Sequence, residues 1–384
     1  MKIAFLMPVL DRGGITTAIA AITESLAQNP DYEIEILTNT RTLPEWAGFS
    51  DSVRLVPLSK RIRIPSLPGL RVEKTRQAIQ ISAGLVGYLR RKKPDVVVSF
   101  QAGSVLVIAA KIARYSGKII IRESSTPSLA SRFPRPILSG VKLLLKGWAN
   151  RRADTVITLT PGSAVEVIER LRVSPGNVIS IPNPINADRI GKRAAQTPEI
   201  PIPDMEEIPI IVWVGRFSPE KDATSAIRAF SLVLEQRQVR LLLIGDGNQR
   251  QELVSLVNEL GISEQVTFIN WTDNAHAYMA ISTVFVNTSR FEGLGNALIE
   301  AQACGIPVVS TDAPYGPRMI LDDGNAGTLV SVGSAEEIAV AIVTYIENAD
   351  LRRAHVAKAT ELLARFTPEK IANQYDEIMR PRQD

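Results

Sequence analysis

Two glutamates, Glu292 and Glu300, stand eight positions apart in the stretch SRFEGLGNALIEAQACGIPVVST, with a Gly-Leu-Gly turn between them. The pattern reads as strand exit, glycine turn and helix, so Glu292 falls in the loop and Glu300 about a turn or more inside the helix. A helix start exposes unbonded amides, here near Gly295, Asn296, Ala297 and Leu298, and carries a partial positive charge. Amides at such a start suit an anion, while carboxylates accept hydrogen bonds from hydroxyls. Two acids bracketing the start therefore fit a phosphate flanked by hydroxyl-rich groups, the chemistry of a nucleotide sugar.

Two further turns carry matching residues. In IVWVGRFSPEKD, Gly215 and Arg216 follow a strand and Lys221 opens the next helix. An arginine that grips bidentately and a lysine that acts as a compact point charge suit a diphosphate. The plainer alternative pairs Arg216 with a neighbouring acid and leaves Lys221 in solvent. In MPVLDRGGITTAIAAI, Gly13 and Gly14 join a strand to a helix, either to let an anion approach the backbone or simply to make the turn. Neither this turn nor IGDGNQR has the third glycine of the dinucleotide fingerprint, which disfavours a dehydrogenase. No Asp-x-Asp pair follows a strand, Asp322 and Asp323 read as a surface turn, and the two histidines, His276 and His355, read as structural or exposed. No metal or other cofactor is expected.

The elements that must hold these turns alternate strand and helix twice over. Apolar runs KIAFLM, YEIEILT, DVVVSF, KIIIR, DTVITL and NVISIP alternate with helical stretches at 14–28, 103–115, 136–150 and 162–172. After a proline-rich passage at 181–210, read as domain boundary and linker, the pattern restarts with PIIVWVG, VRLLLIG, QVTFI, STVFVNT and GIPVVST. That predicts an α/β chain of two tandem doubly wound, Rossmann-like domains with a cleft between them and ligands at the carboxyl ends of the strands. A length of 384 residues, 45% hydrophobic, is enough for two cores. The opening apolar run is short, contains Pro8 and stops at Asp11-Arg12, so it reads as a buried strand rather than a leader. No run reaches the length of a membrane span, and a single cysteine, Cys304, excludes an intrachain disulfide, so a cytoplasmic location is expected.

The segments GRFSPEKD, LLLIGDG, EGLGNALIEAQACGIPVVST and APYGPRMIL, with the N-terminal Gly-Gly turn, resemble retaining glycosyltransferases of the GT-B fold. This is the large family 4 type of bacterial polysaccharide and lipid-linked oligosaccharide enzymes. The resemblance covers almost the whole chain. It implies residues 1–183, rejoined by the C-terminal helix at 367–384, as an acceptor domain, and 184–366 as the nucleotide-sugar domain. It implies that Glu300 binds the ribose hydroxyls, Arg216 and Lys221 neutralise the diphosphate, Gly295 to Leu298 give backbone donors, and Glu292 contacts the donor sugar. The base is then expected near Asn270 and Trp271. Gly13, Gly14 and Gly215 complete the implied donor site, with Glu292, Arg216 and Lys221 as the catalytic set. A UDP-linked hexose or N-acetylhexosamine is expected ahead of a GDP-linked one. Relatives often carry histidine after the KIII-type strand; here Ser124 stands in that place, after Glu123.

Charge is unevenly spread: residues 1–200 carry 29 Lys and Arg against 15 Asp and Glu, and the remainder 15 against 25. A basic first half suits a phosphate-bearing acceptor, such as a polyprenyl-diphosphate-linked glycan, and peripheral contact with an anionic membrane at its inner face. LSKRIRIPSLPGLRVEKTRQ reads as a basic loop. In RPILSGVKLLLKGWANRR, Ile137, Leu138, Val141, Leu144, Leu145 and Trp148 fall on one helical face beside Lys142 and Lys146, either to lie on a leaflet or to pack on the core. A basic half also suits nucleic acid, but no zinc-finger or RNA-motif pattern accompanies the charge, so none is expected. The alternatives to a transferase are a sugar-nucleotide epimerase and a non-catalytic nucleotide-sugar-binding protein.

Overall fold

The computed structural model describes residues 1–10, 13–40, 42–44, 48–58, 72–124, 136–202 and 207–380. The chain divides into two units, Met1–Pro184 with Pro368–Asp384, and Ile185–Thr367.

The first unit runs β1 (Lys2–Leu6), α1 (Gly14–Leu26), β2 (Glu33–Thr38), β3 (Arg54–Pro57), α2 (Val72–Lys92), β4 (Val96–Ser99), α3 (Gly103–Ala113), β5 (Lys118–Glu123), α4 (Pro136–Asn150), β6 (Thr155–Thr158), α5 (Pro161–Leu171) and β7 (Val178–Ser180). The last helix of the chain, α14 (Pro368–Met379), belongs to the same unit. The seven strands form one parallel sheet in the order β3-β2-β1-β4-β5-β6-β7. Central strands of such a sheet are covered on both faces, so their residues are apolar without interruption. Ile3, Phe5, Val96 and Val98 feed one core, with Ile19 and Ile22 of α1 and Ile371 and Tyr375 of α14. Ala4, Leu6 and Val97 feed the other, with Leu85 and Leu89 of α2 and Leu106 of α3. Each fully buried side chain of this kind contributes about 1.5–3 kcal/mol.

The second unit opens with α6 (Ala187–Ala194) and continues β8 (Ile210–Val214), α7 (Ala223–Leu234), β9 (Arg240–Ile244), α8 (Arg250–Glu259), β10 (Val266–Ile269), α9 (Ala275–Ala280), β11 (Val284–Asn287), α10 (Asn296–Ala303), β12 (Val308–Thr311), α11 (Gly316–Ile320), β13 (Thr328–Val330), α12 (Ala335–Glu347) and α13 (Ala349–Leu362). Its six parallel strands are ordered β10-β9-β8-β11-β12-β13. In both sheets the order reverses direction beside the first strand, at β1/β4 and at β8/β11. Such a switch point leaves a crevice outside the strand ends where ligands bind.

Three local readings change, and two short strands went unread. The passage at 181–210 is not all linker: Asn186 caps α6 by accepting the Arg189 amide at 2.9 Å. The basic stretch 58–77 falls largely outside the described residues, and from Val72 onward it is the start of α2 rather than loop. The short strands β3 and β13, RLVP and TLV, gave no readable alternation.

The face of α4 also differs. Lys146 and Asn150 point inward, where both bind Glu123 at 2.7 Å, and Leu143 and Trp148 pack on the unit's core. Val141, Leu144 and Leu145 are left exposed, Leu144 at 73%. The side chains of Ile137 and Leu138 lie outside the described residues. Polar side chains that satisfy a partly buried carboxylate set the inner stripe here, so the core-packing alternative fails for Val141, Leu144 and Leu145.

Candidate functional site

The turn after β8 and the turn after β11 meet at the switch point of the second sheet, and a set of hydrogen bonds ties one to the other. Trp213 Nε1 donates to Thr288 Oγ1 at 3.0 Å, and the Thr288 hydroxyl turns its proton to the Asp222 carbonyl at 2.8 Å. The Arg290 amide donates to the Glu220 carbonyl at 2.9 Å, and its guanidinium lies 2.7 Å from the Asp222 carboxylate. Asp222, buried and with φ 49°, also caps α7 through Ser225. The two loops are therefore one rigid frame.

On that frame Lys221 Nζ stands 2.5 Å from Glu292 Oε2. The same carboxylate oxygen lies 2.9 Å from Ser289 Oγ, whose single proton serves either Glu292 or Asn287 Oδ1 at 2.8 Å. The backbone of Glu292 is held as well, its amide by the Pro314 carbonyl at 3.0 Å and its carbonyl by the Tyr315 amide at 2.9 Å. Glu292 thus bridges to the loop after β12, the segment APYGPRMIL. Arg216 is exposed and has no ion pair or side-chain hydrogen bond among the described residues. Lys221 and Glu292 neutralise each other, whereas Arg216 keeps its charge without an ion pair among the described residues, and the start of α10 adds a partial positive charge.

Glycines make this packing possible. Gly295 caps α10 in the left-handed region at φ 98°. A Cβ on Gly316 would lie 1.7 Å from the Leu294 carbonyl oxygen, and one on Gly245 would lie 1.9 Å from the Gly215 carbonyl oxygen. No side chain caps α10, but the Leu298 amide is already bonded to the Gly295 carbonyl at 2.9 Å. The expected donor set of Gly295, Asn296, Ala297 and Leu298 therefore loses its last member, whose side chain is buried in the core.

Glu300 projects from the second turn of α10, half-buried, with Oε2 3.5 Å from His276 Nε2. The histidine read as structural is thus the neighbour of a candidate ligand-binding acid. His355, by contrast, bonds Tyr345 at 2.6 Å, and burial pushes its pKa down. Cys304 Sγ contacts the His276 carbonyl at 3.8 Å rather than the ring, and burial with the Glu300 charge pushes its pKa up to about 12, so it stays a thiol. Asn270 and Trp271, both exposed, follow β10, two strands from β8 at the sheet edge. Two strand spacings are about 10 Å, the scale on which a base and a diphosphate are separated. Among the described residues no cluster of three or more metal-ligating side chains occurs.

Gly13 and Gly14 lie in the first unit, where Gly13 precedes α1 with extended backbone, φ 172°, and open space where a Cβ would stand. The turn itself does not require glycine there. In the same unit Glu123 is turned away to Lys146 and Asn150, and Ser124 accepts a hydrogen bond from the buried Arg122 at 2.7 Å. Arg122 also donates to Asn183, and desolvation lowers its pKa. A cavity of about 910 Å³ at the amino ends of β4 and β5, lined by Arg90, Lys93, Arg114 and Lys118, lies at the opposite end of the strands from the ligand crevice expected of this sheet.

Sequence reasoning missed Ser289, Arg290, His276 and Gly316. Ser289 and Arg290 adjoin Glu292 in the chain, and their position directly after a strand was the available signal.

Comparison with known proteins identifies the family. The model of "Glycosyl transferases group 1" matches residues 197–362, and that of "Glycosyl transferase 4-like domain" matches residues 13–184. The chain is 30% identical over 292 residues to the lipopolysaccharide core biosynthesis glycosyltransferase LpsE of Rhizobium meliloti, spanning 76% of this chain and 77% of that one. It is 27% identical over 316 residues to an N-acetylgalactosaminyltransferase of Campylobacter jejuni named for a diphospho-undecaprenol substrate, spanning 82% and 80%. Among solved structures, Anabaena HepE in complex with UDP-glucose superposes with a TM-score of 0.78 at 22% identity, over 99% of both chains. The chain therefore belongs to the glycosyltransferase family and is a sugar-transferring enzyme with the GT-B fold.

Proposed function

We propose that the chain transfers a hexose or N-acetylhexosamine from a nucleoside-diphosphate donor, UDP-linked ahead of GDP-linked, to a glycan acceptor, with retention at the anomeric carbon and without a metal ion. The observation that carries the reading is the Lys221–Glu292–Ser289 cluster at the β8/β11 switch point, beside Arg216, which has no ion pair among the described residues. Arg216 and Lys221 bind the diphosphate. The Lys221 ammonium has three donors, so it keeps Glu292 and adds a phosphate oxygen. Glu300 accepts the ribose hydroxyls, Glu292 faces the donor sugar, and Asn270 and Trp271 hold the base. As the bond from the anomeric carbon to phosphate breaks, negative charge grows on the diphosphate, and preorganised cations and amides stabilise it; one such donor is worth about 10²–10³ in rate. The acceptor hydroxyl attacks on the face that the diphosphate leaves, and its proton passes to the departing phosphate oxygen.

The acceptor is a lipid-linked glycan of cell-surface polysaccharide or oligosaccharide synthesis, bound by the basic first unit. The names of the relatives support this, and so does the charge of residues 1–200. Peripheral contact with an anionic membrane surface is supported by the exposed Val141, Leu144 and Leu145 of α4 and Ile108 and Ile112 of α3, flanked by the exposed Lys111 and Lys142. No helix among the described residues is long and apolar enough to cross a membrane.

Product analysis tests the reading. The purified enzyme is incubated with UDP- and GDP-hexoses and N-acetylhexosamines and a polyprenyl-diphosphate-linked saccharide. An acceptor heavier by one sugar, with the donor's anomeric configuration, is the expected product. An inverted linkage, or an epimerised donor with the acceptor unchanged, contradicts it.

A further inference from the structure

His276 is an anomaly in an otherwise satisfied region. Its place is fixed by α9, whose cap Asn274 accepts the Ala277 amide and is itself anchored on the Arg193 carbonyl at 3.0 Å and Gln196 Oε1 at 2.8 Å. Arg193 in turn donates to the Asp273 carbonyl at 2.9 Å. The imidazole is only 13% exposed, and neither ring nitrogen, both buried, has a hydrogen-bond partner among the described residues. An imidazole always carries at least one N–H, and a buried donor without an acceptor is costly. The carboxylate that faces it is Glu300, with Oε2 3.5 Å from Nε2, just beyond good hydrogen-bonding length. A small turn of the Glu300 side chain, which is not itself fully buried, closes that gap.

We propose that His276 is a positioning residue for donor binding: its Nε2–H holds the Glu300 carboxylate in the orientation that receives the ribose hydroxyls. This rests on the reading that Glu300 binds ribose. A carboxylate has about four acceptor positions, so one bond from His276 leaves both oxygens able to accept from a vicinal diol. Holding the acid before the ligand arrives removes rotamer freedom that binding would otherwise have to remove. The imidazole then acts through Glu300 alone and touches neither base nor phosphate.

The test is calorimetric titration of UDP, GDP and their 2′,3′-dideoxy counterparts into the native enzyme and into His276→Ala, His276→Gln, Glu300→Ala and the double alanine variant, with thermal unfolding as a folding control. His276→Ala is expected to weaken the bound ribonucleotide about tenfold, and His276→Gln, whose amide can donate from near the Nε2 position, to restore most of it. In the Glu300→Ala background the same substitution should cost less than about twofold, and dideoxynucleotide binding should be unchanged. Equal losses for ribo- and dideoxynucleotides, or a full further loss on top of Glu300→Ala, would show a structural histidine and overturn the proposal. Undiminished ribonucleotide binding by Glu300→Ala would instead overturn the ribose reading, and no binding by native enzyme would overturn the site assignment and the proposal with it.

Discussion

Lys221 and Glu292 carry opposite charges at 2.5 Å, and a third group, Ser289, shares the same carboxylate oxygen. On the proposed function, removing Lys221 does two things at once: it deletes a contact to the leaving group and frees Glu292 to move. Lys221→Ala should therefore lower kcat/KM by about 10²–10³, whereas Ser289→Ala, which removes one neutral donor, should cost about 0.5–1.5 kcal/mol of transition-state stabilisation. Steady-state kinetics with the preferred donor reads both, and similar losses for the two would contradict the assignment. Arg216→Lys keeps the charge but loses the bidentate fork, so its loss should fall between them. Lys221 and Glu292 could each be picked out in the sequence, but their union could not. They are far apart in the chain, and only the adjacency of β8 and β11 brings their turns together.

At the scale of elements, alternation of apolar strands and helices was legible because every central strand of a parallel sheet must be apolar on both faces. The parts that were not legible share a cause. β3 and β13 are short edge strands, and α4 turns Lys146 and Asn150 inward to serve Glu123, which no periodicity of apolar residues could reveal. The glycines of the crevice were visible as glycines, but which of them are indispensable depends on what lies opposite. Gly245→Ala and Gly316→Ala would each drive a Cβ into a backbone oxygen and should destabilise the fold by about 1–3 kcal/mol or more. Gly191, inside α6 with open space at its Cβ, should behave in the opposite way, Gly191→Ala stabilising by about 0.5–1 kcal/mol. Urea unfolding separates the two cases, and a neutral Gly316→Ala would contradict the packing described for the turn before α10.

For the whole molecule, the charge asymmetry of the sequence and the exposed apolar ridge of the first unit belong together. Neither is needed by the fold of that unit, whose cores are complete beneath them. The double variant Leu144→Ser with Leu145→Ser should lower cosedimentation with vesicles containing anionic phospholipid by about tenfold or more while leaving thermal stability unchanged. Equal binding of native and variant protein would remove α4 from the account. The central claim, that the second unit holds the nucleotide at its switch point, is tested most directly by hydrogen–deuterium exchange with and without saturating UDP or GDP. Residues 215–222 and 288–300 should be protected with one of the two nucleotides; binding that leaves both segments unchanged would contradict a nucleotide site at the switch point.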